Sequence, residues 1–127
     1  MRVNSGTDHQ AKVMGDTAST GTGAYAAANY IGLTANTSTP NATDTTLAGE
    51  VSSGSLARAQ AAYAHTTAAP SYTLTKTFTS DQTITVAKVG VFNAPSGGTM
   101  VFESLLSATA TLQSGDQVAV TEVVSLS

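Results

Sequence analysis

The stretch YTLTKTFTSDQTITVAKVGVF, residues 72–92, decides the fold class. In its first eight residues Tyr72, Leu74, Lys76 and Phe78 alternate with Thr73, Thr75, Thr77 and Thr79. Period-two alternation built on β-branched residues predicts a half-buried strand. Lys76 interrupts the apolar face, which places it near a sheet edge or with its stem lying over apolar surface. Ser80, Asp81 and Gln82 turn the chain. In the second half Ile84 and Val86 share one parity while Val89 and Val91 share the other. The apolar phase therefore shifts at Lys88, the pattern of a β-bulge.

Working outward, NAPSGG (93–98) reads as a turn. Met100 and Phe102 alternate with Val101 and Glu103 in TMVFESLL. ATATLQ (108–113) leads into the turn SGDQ (114–117). VAVTEVVSL (118–126) puts Val118, Val120, Val124 and Leu126 on one face. Upstream, NYIGLT (29–34) reads as a strand. Residues 35–46 form a polar loop whose Pro40, Asn41 and Asp44 supply turn chemistry. LAGEV (47–51) fits a strand or a single helical turn. LARAQAAYAH (56–65) contains good helix formers but no 3.6-residue apolar stripe. It is read as a strand with Ala57, Ala59, Ala61 and Tyr63 facing one way, Arg58 and Gln60 the other. Residues 1–28, polar and rich in Gly and Ala, are expected to be an extended N-terminal arm, docked on a neighbouring subunit or a disordered tail. About seven or eight short strands and no helix predict an all-β chain. Its expected form is an antiparallel β-sandwich or small barrel occupying residues 29–127 as one domain.

Composition sharpens the picture. Of 127 residues, Thr (22), Ala (21) and Ser (14) make up nearly half, and charged residues are 10%, against roughly 25% in an average domain. The five cations Arg2, Lys12, Arg58, Lys76 and Lys88 are scattered, and the net charge is −3. No basic run exists to neutralise phosphates, so nucleic acid is not an expected partner. No apolar stretch approaches the roughly 20 residues that a membrane span needs, and the N-terminus shows no apolar signal region. The absence of Cys rules out disulfides. Of the 24 Leu, Ile, Val and Phe residues, 17 lie in 72–126 and seven in the first 71. The first half is therefore too poor in large apolar residues for a core of its own, and must lie on the second half or on another subunit.

Candidate chemistry is sparse. His9 and His65 are the only imidazoles, and both are expected to be non-catalytic. Glu50, Glu103 and Glu122 could meet as a carboxylate pair, which chance explains as well. Asp8, Asp16, Asp44, Asp81 and Asp116 sit in turn-like contexts that favour turn stabilisation over calcium binding. Asn36-Thr37-Ser38 and Asn41-Ala42-Thr43 match the glycosylation sequon but are expected by chance in so hydroxyl-rich a chain. Gly21-Thr22-Gly23 lacks the third glycine and the strand of a dinucleotide loop. No catalytic, cofactor-binding or metal-binding residue is assigned, no cofactor is expected, and the chain is not expected to be an enzyme.

Read in order, YIGLT, then PNATDTTLAGE (40–50), Arg58 and Tyr63, then VAKVGVFNAPSGGTMVF (86–102) and SGDQVAVTEVVSL (114–126), resemble small structural proteins of tailed bacteriophages. Patterns similar to T-D-T-x-L-x-x-E and G-x-F-N-A-x-x-G-G occur in head-decoration, minor tail and tail-collar-like virion proteins. The resemblance covers residues 29–127 and implies no catalytic residues. It implies a virion protein assembled in the bacterial cytoplasm. A capsid decoration (cement) protein is the first expectation: a homo-oligomer, with a trimer favoured, bound to the major capsid protein. The alternatives are a minor tail, collar or tail-fibre attachment protein contacting tail proteins or a host receptor, and a carbohydrate-binding β-sandwich. The last is disfavoured by the absence of Trp.

Overall fold

The computed structural model describes residues 1–15 and 27–125. It contains one helix, α1 (Asn4–Gly15), and seven strands: β1 (Tyr30–Thr34), β2 (Ala59–Gln60), β3 (Ala62–Ala64), β4 (Ser71–Thr79), β5 (Ile84–Phe92), β6 (Met100–Leu112) and β7 (Gln117–Ser125). They form two antiparallel sheets. One has four strands in the order β2-β1-β5-β6 and the other has three in the order β3-β4-β7. The architecture is a sandwich, with no closed barrel.

The alternation in 72–79 works as read. Leu74 and Phe78 are buried while Thr75, Thr77 and Thr79 are exposed. They meet Ile31, Leu33, Val86, Val89 and Val91 from the opposite sheet in the main core. Each such side chain contributes about 1.5–3 kcal/mol on leaving water. Because β4 is the central strand of its sheet, Lys76 does not sit at a sheet edge, and it is half-buried. The turn at 80–82 carries the chain from one sheet to the other. Ser80 Oγ donates to the Gln82 carbonyl at 2.6 Å.

The phase shift at Lys88 is a register break. Val86 pairs with Ala110 but Lys88 pairs with Leu105, so one residue of β5 faces four of β6. The extra residues bulge β6, and Val89 and Val91 thereby join Val86 in the core. TMVFESLL and ATATLQ, read as separate segments, are consequently one thirteen-residue strand. The segment 56–65 differs from its single-strand reading. It breaks at buried Ala61, whose N–H donates to the Asn29 carbonyl at 2.7 Å. β2 then serves one sheet and β3 the other. LAGEV is a turn that ends in an isolated bridge between Glu50 and Thr34.

The N-terminal expectation of an extended arm without helix is corrected. Met1–Val3 runs antiparallel to β6, with Val3 N–H on the Val101 carbonyl at 3.1 Å and Glu103 N–H on the Met1 carbonyl at 2.9 Å. α1 then lies against β6, where Ser5 Oγ donates to the Met100 carbonyl at 2.8 Å. The helix can approach so closely because residue 6 is glycine: a Cβ there would overlap the Val101 carbonyl. The arm reading of 16–26, the Gly21-Thr22-Gly23 triplet, Asp16 and the inward placement of Leu126 fall outside the described residues.

Val3, Leu47, Phe92 and Met100 form a second core on the outer face of the four-stranded sheet. The described part of the core-poor first half thus lies on the second half within the same chain, the first of the two alternatives its composition allowed. Across this face Thr34 Oγ1 donates to the Ala48 carbonyl at 2.7 Å, and Val51 N–H donates to the Leu33 carbonyl at 2.9 Å. β5 is in consequence buried on both faces from Val86 to Phe92.

Candidate assembly surface

Four of the charged residues, Lys88, Glu103, Arg58 and Glu50, pair with one another within the fold. On the covered outer face, Lys88 Nζ lies 3.0 Å from Glu103 Oε1, and both side chains are 1% exposed. Lys88 also donates to the Ser38 carbonyl at 3.0 Å, which ties the polar loop 35–46 to β5. Burial, reinforced by the nearby Asp44 carboxyl, raises the Glu103 pKa against the opposing pull of Lys88. Glu103 Oε2 is buried without a hydrogen-bond partner among the described residues. Beside this pair, Arg58 makes a two-point contact with Glu50, at 2.8 and 2.7 Å. Its guanidinium stacks 3.4 Å from the Phe92 ring centroid and donates to the Ala94 and Gly97 carbonyls. One arginine therefore joins the 47–51 turn, the start of 56–65 and the 93–98 turn.

The remaining sequence candidates are separate. Glu50, Glu103 and Glu122 each have a different partner; that of Glu122 is Ser104 Oγ at 2.8 Å. His9 is buried on α1, and His65 sits beyond β3 with Nδ1 3.0 Å from the Ser71 carbonyl. Asp44, Asp81 and Asp116 accept backbone N–H groups of Asn41, Ser55 and Gln113. Asn36 and Asn41, the sequon asparagines, accept N–H groups from Ser38 and Thr43 and so build local turns. Among the described residues no three His, Asp or Glu side chains group as a metal site, and no helix is long and apolar enough to cross a membrane.

The largest unclaimed feature is the other outer face. Pairing between β4 and β7 runs without a break from Ser71↔Ser125 to Thr79↔Gln117. That register sets Thr73, Thr75, Thr77 and Thr79 beside Val123, Thr121, Ala119 and Gln117 on one face. Ala62 and Ala64 of β3 extend it. This face carries no charged side chain, and Val123 is 62% exposed on it. Next to it, between β6 and β7, opens a cleft of about 400 Å³ lined by Arg2, Phe102, Ser104 and Glu122 among others. At the opposite edge Tyr63, also 62% exposed, packs on Tyr72 with centroids 5.5 Å apart. Burial, with the Tyr63 hydroxyl nearby, raises the Tyr72 pKa.

Such a surface can form backbone and hydroxyl hydrogen bonds and exclude water from small apolar groups. It offers no convergent titratable groups for catalysis. Sequence reading missed it as a site because it arises from the pairing of β4 with a strand some fifty residues away. The signal that was available is the threonine alternation of 73–79. A family model described as "Podophage GP4 fiber I protein gp80" matches residues 6–126, nearly the whole chain. No curated protein shows significant similarity to it.

Proposed function

The chain belongs to the podophage GP4 fiber I protein gp80 family, which makes it a structural protein of a tailed-phage virion, and on that premise we propose that it is a subunit of the virion's fibre apparatus. The family description favours this over the capsid decoration expected from sequence. In this reading the protein is non-catalytic and acts by assembly, as a homo-oligomer attached to tail proteins. The observation that supports assembly is the bare, charge-free outer face of the β3-β4-β7 sheet. Free soluble domains favour surfaces with interspersed charges, and a neutral hydroxyl- and methyl-bearing sheet face suits burial against another subunit. The opposite outer face is already covered by the chain's own first half, so it has no comparable area to offer.

Antibody labelling of purified virions, imaged by electron microscopy and paired with subunit quantification, tests the reading. Label on tail fibres, with a copy number that is a small multiple of the tail's symmetry, is the expected result. Label over the whole head, with copies on the order of hundreds, returns the protein to the capsid and overturns the fibre assignment.

A further inference from the structure

The two sheets present four edges, and three are blunted. β2 has two residues and β3 has three. β6 is occupied by Met1–Val3 at residues 101–103 and bulged between Leu105 and Ala110. Short strands, bulges and covering segments are the standard means of preventing edge-to-edge pairing. Among the described residues β7 has none of them. It is nine residues long, pairs with β4 in unbroken register, contains no Pro, Lys or Arg, and has no strand on its other side among the described residues. Its one charged residue, Glu122, lies beside Ser104 in the cleft between the sheets rather than on the neutral outer face.

We propose that the free edge of β7 pairs with β7 of a second copy, antiparallel across a two-fold axis at Thr121, to join two three-stranded sheets into one of six. This rests on the homo-oligomer reading above and specifies its contact. The occupant follows from the edge inventory. Among its described residues a second copy offers only β7 as an open edge of matching length, and a strand pairing with its own image gives a closed, isologous contact. The three-fold arrangement expected from sequence would need β7 to meet a different edge of its neighbour, and those edges are the blunted ones. Side-chain complementarity agrees. Centring on Thr121 sets Val123 opposite Ala119 and Gln117 opposite Ser125 on the outer face. Toward the cleft it sets Val118 opposite Val124 and Glu122 opposite Val120. No like charges fall directly opposite, and Thr–Thr is a favourable cross-strand pair. The cleft beside the edge is lined by two cationic groups, the Met1 ammonium and Arg2, and one anion, Glu122, so the charges that two copies bring together are of mixed sign. The ladder would run about 30 Å, long enough to order both edges.

The full chain has no cysteine, which makes a single introduced thiol diagnostic. Directly opposed cross-strand Cβ atoms lie about 4.5–5.5 Å apart, near disulfide range. Thr75, one strand further in on the same face, would be about 14 Å from its image. Under air oxidation the Thr121→Cys variant should give a covalent dimer at least about tenfold faster than Thr75→Cys. Sedimentation velocity of the wild type should show a dimer that Thr121→Lys shifts to monomer, with an unchanged circular dichroism spectrum. Cross-linking at Thr75→Cys as fast as at Thr121→Cys would mean face-to-face packing and overturn the edge pairing. A trimer would overturn it while leaving the homo-oligomer reading standing. A wild-type monomer up to about 100 µM would overturn both the pairing and the homo-oligomer reading, and leave the virion location to the labelling experiment.

Discussion

Among the described residues Glu103 carries the clearest proton dependence. It is buried at 1% exposure with Lys88 on one oxygen and the Asp44 carboxyl nearby, and burial and Asp44 together hold its pKa above the ordinary carboxylate value of 4.5. The native state therefore holds this proton to higher pH than the unfolded chain does. Between 4.5 and the raised native value, folding binds protons, so stability falls as pH rises. The Glu103 contribution is complete below 4.5 and is lost as pH climbs through the native value, at about 1.4 kcal/mol for each pH unit of separation. In Glu103→Gln the titration is gone while the shape is kept. Urea unfolding across this window should give a flatter pH profile for the variant than for the wild type. Parallel profiles would show that Glu103 titrates as it does in the unfolded chain. Composition alone marked Glu103 as one of three scattered glutamates. Its burial comes from pairing with Gly90 and from the 35–46 loop folded over it, neither of which is a local property.

At the scale of elements, α1 shows where local reading stops. Asn-Ser-Gly-Thr opens the helix with residues of poor helix propensity. What holds it is contact with β6: the Ser5 bond to Met100 and the absence of a Cβ at Gly6. By propensity alone, Gly6→Ala should stabilise a helix by roughly 0.5–1 kcal/mol. Because the new methyl would overlap the Val101 backbone carbonyl, the opposite sign is expected here, a loss of about 1–3 kcal/mol from overpacking. Thermal or urea unfolding of the variant decides between them, and a gain in stability would mean that α1 does not sit on β6 as described. β4 and the irregularity in β5 were legible because period-two alternation and its phase shift are encoded locally. The split of 56–65 into β2 and β3 was not, since Ala57, Ala59, Ala61 and Tyr63 keep one parity through the break. The break depends on Asn29 receiving the Ala61 N–H.

For the whole molecule, the two outer faces of the sandwich have different fates. One is filled by the chain's own first half, with Val3, Leu47, Phe92 and Met100 beneath it. The other is left bare and uncharged. The sequence showed that the large apolar residues are concentrated after residue 71. It could not show which face the first half would cover, because that depends on Lys88, Gly90 and Phe92 pointing away from the main core once the β5–β6 register slips. This asymmetry separates stability from assembly, and a single exposed residue can report on it. Thr77 stands in the middle of the bare face, paired with Ala119 and exposed. Thr77→Lys adds a charge there without touching the core, so unfolding free energy should stay within about 0.5 kcal/mol of wild type. A charge buried without a partner in a subunit contact is far more costly. Phage carrying this variant should therefore produce soluble, folded subunit yet assemble virions depleted of it, as read by quantifying the protein in purified particles against the cell lysate. Normal incorporation of a normally folded Thr77→Lys subunit would show that the bare face stays in solvent in the virion, and would leave the β7 edge to carry the contact alone.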